Sequence, residues 1–475
     1  MADPPLQIQF DENGDINAEQ ERQLHDALEQ LGATDLLVFS HGWNNTPAVA
    51  TQLYEAFFTR VKSLMALHGK VNRTVAYLGV YWPSIRWSDE PIPDFQPGDV
   101  VDLGAGSGGA AGGVGPPPTF DPPPPPDTQL AAQIRESFPA DLRGDVGELI
   151  ELITARPTEQ DQLRRARDLV AQIASAAPAD GDGEQADRPP FAAEDDPNAQ
   201  LFADFTAALE ELNVETTGAG GAAGIGDAVG RLWHGAQEVL RGLTYWQMKN
   251  RAGVVGERGL GPLVGRLRER HPNLNINLIG HSFGARVVSY ALKGAPQDPP
   301  SVRSVTLLQG AFSHFTYTAE LPFDTSRSGT LNGQQDKVSG PVAACYSRFD
   351  SAVGVMYPLA SLLKGDDASA ADEPLYRWGG IGHDGHQQGL PEVTLQQPGS
   401  HYDFAGKKLV NIDAQQVVRE GRPPSGAHSD IIHDELAWVV LDAGGLVDAA
   451  HVTSETDAAH VRSETDAAHV RSETD

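Results

Sequence analysis

Ile276-Asn-Leu-Ile-Gly-His-Ser-Phe-Gly-Ala-Arg-Val-Val-Ser-Tyr-Ala-Leu292 joins two periodicities at one residue. Up to Ile279 polar and apolar residues alternate as in a strand; further on, Val287, Val288, Ala291 and Leu292 recur at helical spacing. The chain must therefore turn from strand to helix at Ser282, between Gly280 and Gly284. Glycine two residues either side removes the Cβ atoms that would block so tight a reversal. The turn also lifts the serine hydroxyl clear of the backbone. A hydroxyl is a poor nucleophile at neutral pH, and becomes a useful one beside a general base and within reach of donors for the oxyanion it creates. With 50 glycines in 475 residues, G-x-S-x-G alone is weak, and its strand–turn–helix setting gives it meaning. The plain alternative is a glycine turn at a helix entrance with an ordinary surface serine.

Outward from this junction, strands alternate with helices. Leu6-Gln-Ile-Gln-Phe10 reads as a strand, Asp11-Glu-Asn-Gly14 as a turn and residues 17–31 as a helix. Asp35-Leu-Leu-Val-Phe-Ser40 is a buried strand that empties into His41-Gly42-Trp43-Asn44-Asn45. A helix over about 48–68 and a strand over 74–81 follow. Helical segments are expected around 226–250 and 259–270, strands at 302–308, 341–347 and 408–412, and a closing helix over about 430–443. Such alternation implies an α/β fold with a doubly wound, mostly parallel sheet.

The alternation breaks near Trp87. Residues 91–127 are rich in glycine and proline and end in a proline run, which suits an extended linker. Residues 128–175 and 199–213 read as helical, joined by an acidic loop at 178–198. The expected division is a first core segment at 1–87, an insertion at 88–225 forming a helical cap with disordered linkers, a second core segment at 226–446, and a disordered tail at 447–475. The tail repeats Ala-Ala-His-Val-x-Ser-Glu-Thr-Asp three times from Ala449, with too little apolar surface to bury. Its three histidines read as part of a repeat expansion rather than as a metal site.

Charge is unevenly placed. Residues 88–215 carry 26 Asp+Glu against 7 Lys+Arg (−19) and residues 447–475 carry 7 against 2 (−5), which leaves −6 of the total −30 for the rest. Binding to nucleic acid through a basic surface is therefore not expected. The acidity belongs to solvated appendages, and the insertion is a candidate docking element for a protein partner. No run of about 18 apolar residues is present to span a bilayer, and the first residues lack the basic-then-apolar pattern of a signal peptide, so a cytoplasmic location is expected. The single cysteine, Cys345, excludes an intramolecular disulfide and lies in an apolar strand as a buried filler.

The elbow at Gly280–Gly284 and the His41-Gly42-Trp43 loop, each behind a predicted strand, resemble the α/β-hydrolase superfamily over roughly residues 6–88 and 226–445. The resemblance omits the insertion and the tail. It implies a chain order of nucleophile, acid, histidine. Ser282 would be the nucleophile, and the N–H groups of Phe283 and Trp43 the oxyanion donors, with Gly42 allowing close approach. The acid falls just past the strand 341–347, at Asp350 of Tyr346-Ser-Arg-Phe-Asp350; Asp366 and Asp367, in a loop that reads as solvent-facing, are its rivals. The base falls before the closing helix, at His428 of Gly426-Ala-His-Ser-Asp430. His433 would lie inside that helix, while His383, His386 and His401 sit between strands and are alternatives as pocket-lining groups.

The chemistry implied is acyl transfer: attack by Ser282, proton transfer through His428, orientation by Asp350, then hydrolysis of the acyl-enzyme. It needs no metal and no organic cofactor. Candidate substrate-binding residues are His41, Asn44, Trp82 and His281. The aromatics of Tyr81–Trp87 read equally as the wall of an acyl pocket or as packing for the cap, Asn44 and Asn45 as substrate contacts or loop closure, and Thr244–Met248 as core. The reading is a carboxylic-ester hydrolase acting on a small-molecule or lipid-like ester. Two others stand beside it: a catalytically silent binding protein of the same fold, and a serine peptidase on the same scaffold.

Overall fold

The computed structural model of the chain describes residues 4–85, 87, 126–176, 225–356, 379–387, 390–421 and 425–448. The expected linker up to residue 125, the acidic loop 178–198, the helix expected at 199–213, Asp366, Asp367 and the repeats from Ala449 lie outside the described residues.

Strand β1 (Leu6–Gln9) leads to α1 (Ala18–Leu31), which Asn17 opens by accepting from the N–H groups of Glu19 and Gln20. β2 (Asp35–Ser40) is buried along its whole length. After it, α2 (Pro47–His68) starts on a Thr46 cap with proline in the first turn, where a missing N–H costs nothing. β3 (Val75–Tyr81) ends the first core segment. The insertion contributes α3 (Thr128–Ser137), α4 (Arg143–Ala155) and α5 (Gln160–Ala176). Then α6 (Ile225–Val254) runs through a π-helical turn, Val255–Leu260, into α7 (Gly261–Arg270). The sequence pattern suggests two separate helices there, because the glycines around the π turn weaken the helical signal. Packing of that turn against the helix after Ser282 keeps it wound.

The second core segment continues with β4 (Asn275–His281), α8 (Phe283–Gly294), β5 (Ser304–Leu308), β6 (Val342–Tyr346), β7 (Glu392–Thr394), β8 (Leu409–Asp413) and α9 (Asp434–Ala443). β7 is absent from the sequence reading, since three residues are too few to show alternation. The closing helix starts at Asp434 rather than near 430. Asp430 accepts from the N–H groups of Arg419 and Glu420 and from His433, and these bonds hold residues 430–433 outside the helix.

The eight strands form one sheet in the order β1-β3-β2-β4-β5-β6-β8-β7. Every pairing among the described strands is parallel, so the sheet expected to be mostly parallel is wholly so there. α1, α6, α7 and α8 pack on one face, α2 and α9 on the other. This is an α/β fold. β2 and β4 are neighbours, yet the helices that follow them go to opposite faces. The carboxyl ends of two such strands leave a crevice, the usual place for a ligand in an open α/β sheet. Ser282 and the loop His41–Asn45 border it.

The insertion helices turn Ile134, Val146, Leu149, Ile153 and Leu169 into the same apolar cluster as α6 and the sheet. Polar contacts fix them: Trp233 Nε1 donates to Pro157 O at 2.8 Å, and Arg251 reaches Pro83 O at 3.0 Å and Ser137 O at 3.4 Å. Among the described residues no helix is long and apolar enough to cross a membrane.

Candidate active site

Ser282 has φ 56° and ψ −124°, a conformation that costs an ordinary residue about 1–3 kcal/mol. Its surroundings enforce it. The Ser282 N–H donates to Leu308 O, and Ser282 O accepts from the N–H groups of Ala285 and Ala311, all at 3.1 Å. A Cβ on Gly284 would collide with the Ser40 carbonyl, so the first turn of α8 can lie against the end of β2 only with glycine there. Ser282 is 6 % exposed. Phe283 opens α8, where N–H groups have no partner within the helix.

The loop after β2 lies directly over the serine: a Cβ on Gly42 would sit 2.6 Å from Ser282 Cβ. Gly42 O accepts from His41 Nδ1–H at 2.8 Å and from Asn45 Nδ2 at 3.3 Å. Because a trans peptide points its N–H opposite to its C=O, the carbonyl held by His41 and Asn45 turns the Trp43 N–H the other way. The loop is braced further. The His41 N–H donates to Tyr54 OH at 2.9 Å, and Tyr54 in turn donates to Val80 O. Trp82 stacks on His41 with centroids 5.4 Å apart and donates from Nε1 to His41 O at 3.0 Å. Asn44, at φ 63°, accepts from the Trp87 N–H at 2.7 Å. His41, Asn44 and Trp82, expected at the substrate, are thus buried in the support of this loop.

Tyr245 on α6 has no place among the expected site residues. Its ring lies 4.7 Å from that of Phe283 and 5.4 Å from that of Trp43. The helix against which the insertion helices pack therefore touches both residues expected to supply oxyanion donors. In the sequence, Thr244–Met248 is indistinguishable from helical core.

Asp350 follows β6 through a turn in which its N–H donates to Ser347 O at 3.0 Å. It forms an antiparallel bridge with Gly426, and Phe349 O accepts from the Ala427 N–H at 2.8 Å. These backbone bonds stitch the two loops together. His428 Nδ1–H donates to Asp350 Oδ2 at 2.8 Å, while Asp350 Oδ1 accepts from the Val353 N–H at 2.9 Å. His383 Nδ1–H donates to Asp350 O at 3.1 Å. Asp350 is fully buried and His428 is 5 % exposed. With Nδ1 carrying the proton toward the carboxylate, the neutral ring has its lone pair at Nε2. His281 links this couple to the serine: its ring centroid is 4.9 Å from that of His428, and its Nε2–H donates to His428 O at 2.7 Å.

The rivals sit elsewhere. His433 is the residue before α9, not part of it, and bonds Asp430 Oδ1 at 2.5 Å. Burial pushes the Asp430 carboxyl up, but His433 and the N–H groups of Glu420 and Arg419 outweigh that and leave it below the usual range. His386 is buried edge-on to the Tyr317 ring at 5.4 Å, and burial pushes its imidazole down to about 3. His401 pairs with Asp442 at 2.9 Å on the other face of the sheet. A further couple, His314 with Asp384 at 2.8 Å, has no counterpart in the sequence reading. Cys345 is buried, and desolvation raises its thiol well above the usual value. Among the described residues, no three His, Cys, Asp or Glu side chains are grouped to hold a metal.

Comparison with protein-family models gives no match, and comparisons with curated proteins and with solved structures give none either. The class is defined by the fold: an α/β protein with an open, parallel, eight-stranded sheet. Its central crevice gathers a strained serine, a buried histidine–aspartate couple and a glycine loop, a set able to activate a hydroxyl and to present backbone donors to a developing negative charge.

Proposed function

We propose that this chain is a serine hydrolase that cleaves carboxylic esters, of esterase or lipase type, through an acyl-enzyme on Ser282. The observation that carries the reading is the buried His428–Asp350 hydrogen bond of 2.8 Å, held beside the residue that precedes Ser282. A buried carboxylate on Nδ1 fixes the tautomer and stabilises the imidazolium that forms when Nε2 takes the serine proton.

In the first step Ser282 Oγ attacks the ester carbonyl while His428 accepts its proton. The oxyanion is met by the N–H groups of Phe283 and Trp43, the latter aimed by the bonds of His41 and Asn45 to Gly42 O. His428 then protonates the departing alcohol. Water, deprotonated by the same imidazole, releases the acid. Small-molecule and lipid-like esters are the proposed substrate class.

A fluorophosphonate probe tests the chemistry: Ser282 is expected to be labelled, and absence of an adduct, or equal labelling of Ser282→Ala, overturns the enzyme reading. Turnover of p-nitrophenyl esters of increasing chain length beside aminoacyl amides then separates esterase, lipase and peptidase.

A further inference from the structure

We infer that His281 is a positioning residue: its Nε2–H holds the main chain of His428 and thereby sets where the base imidazole stands. The inference rests on the proposed role of Ser282 and His428. His281 is the last residue of β4 and is fully buried. It lies in the central part of the sheet, with β2 on one side and β5 on the other. Its side chain therefore starts from one of the most fixed stretches of backbone in the molecule. His428, by contrast, lies in a three-residue 3-10 turn, Ala427–Ser429.

Among the bonds that hold that turn, two grip its main chain from other segments. Ala427 N–H donates to Phe349 O at 2.8 Å, which ties the turn to the acid loop. His281 Nε2–H donates to His428 O at 2.7 Å, which ties it to the strand that delivers the serine. The first fixes the base relative to the acid; the second fixes it relative to the nucleophile. A carbonyl only accepts, so the bond requires the proton on Nε2 of His281, whereas His428 carries its own toward Asp350 on Nδ1. The two imidazoles are thus of opposite tautomer although their rings are 4.9 Å apart. A one-ångström displacement of a catalytic group can lower turnover about a hundredfold, so a single anchor of this kind is kinetically visible.

Two amide substitutions isolate the anchor. Glutamine places its Nε2 donor about where the imidazole has it, while asparagine has the same chemistry and falls short of the carbonyl. His281→Gln is expected to keep kcat within about threefold of the parent, and His281→Asn to lose about 10- to 100-fold in kcat with KM within about twofold. Equal kcat for the two variants overturns the inference. A second measurement uses the unaltered full-length chain: 15N shifts of the histidine rings report the tautomer. Nε2–H at His281 with Nδ1–H at His428 supports the anchor, and a bare Nε2 at His281 overturns it. This readout does not depend on catalysis, so if Ser282 is never labelled the functional proposal fails while the anchor is still judged by the tautomer.

Discussion

Two histidine–aspartate couples on different parts of the sheet have nearly the same local chemistry. His428 meets Asp350 at 2.8 Å, and His401 meets Asp442 at 2.9 Å. In both, the second carboxylate oxygen accepts a backbone N–H, from Val353 at 2.9 Å and from Tyr402 at 2.7 Å. Both carboxylates are buried, but the His401 side chain is 55 % exposed and that of His428 only 6 %. Water screens the His401–Asp442 couple, so it contributes little beyond a surface tie, whereas the His428–Asp350 couple acts in a medium where charge interactions are several times stronger. A His–Asp contact is a staple by default. Desolvation and a strained hydroxyl nearby turn one of them into a candidate base.

That contrast breaks most readily by substitution. Ser282→Ala is expected to lower ester turnover by at least about 10⁴-fold, read as loss of both hydrolysis and probe labelling. His428→Ala should fall by about 10³- to 10⁴-fold, while His401→Ala stays within about twofold, both measured as kcat/KM on the best p-nitrophenyl ester. Equal losses for the two histidines would mean that exposure does not distinguish the couples. Gly42→Ala sharpens the picture on the oxyanion side. Its new methyl would stand 2.6 Å from Ser282 Cβ, and pushing the loop away should cost about 10²- to 10³-fold in kcat while thermal unfolding shows the fold retained.

The sequence carries the elbow because strand and helix periodicities change over at one residue. It carries the order of Ser282, Asp350 and His428 only through the resemblance, since nothing local marks Gly426-Ala-His-Ser as different from other loops. The couple becomes visible in three dimensions, where the bridge between Asp350 and Gly426 joins segments 76 residues apart in the chain. Exposure, which separates His428 from His401, is a property of the packed sheet and has no local signature. The same holds for Tyr245: a tyrosine on an amphipathic helix looks like core until its ring is seen to pack against both Phe283 and Trp43. His41, Asn44 and Trp82 are polar or aromatic groups behind a strand, which reads as a binding surface. Their partners, such as Trp87 N–H for Asn44, lie up to 43 residues away.

A third kind of histidine sharpens the comparison with the smallest effect. His386 is buried beside the Tyr317 ring, its backbone N–H on Asn411 Oδ1 at 2.8 Å, and burial holds its imidazole at about 3. In the unfolded chain the same group titrates near 6.5. As pH falls below about 6.5 the unfolded state takes up a proton that the folded state refuses, so the folded state is destabilised with a slope approaching about 1.4 kcal/mol per pH unit, down to about pH 3. Above about 6.5 both states are neutral and the full contribution is present. His386→Phe removes this proton uptake. Urea unfolding at pH 7 and pH 5 should therefore show the parent chain losing about 1–2 kcal/mol more than the variant, whereas parallel losses would mean that His386 accepts a proton in the folded state as readily as in the unfolded chain.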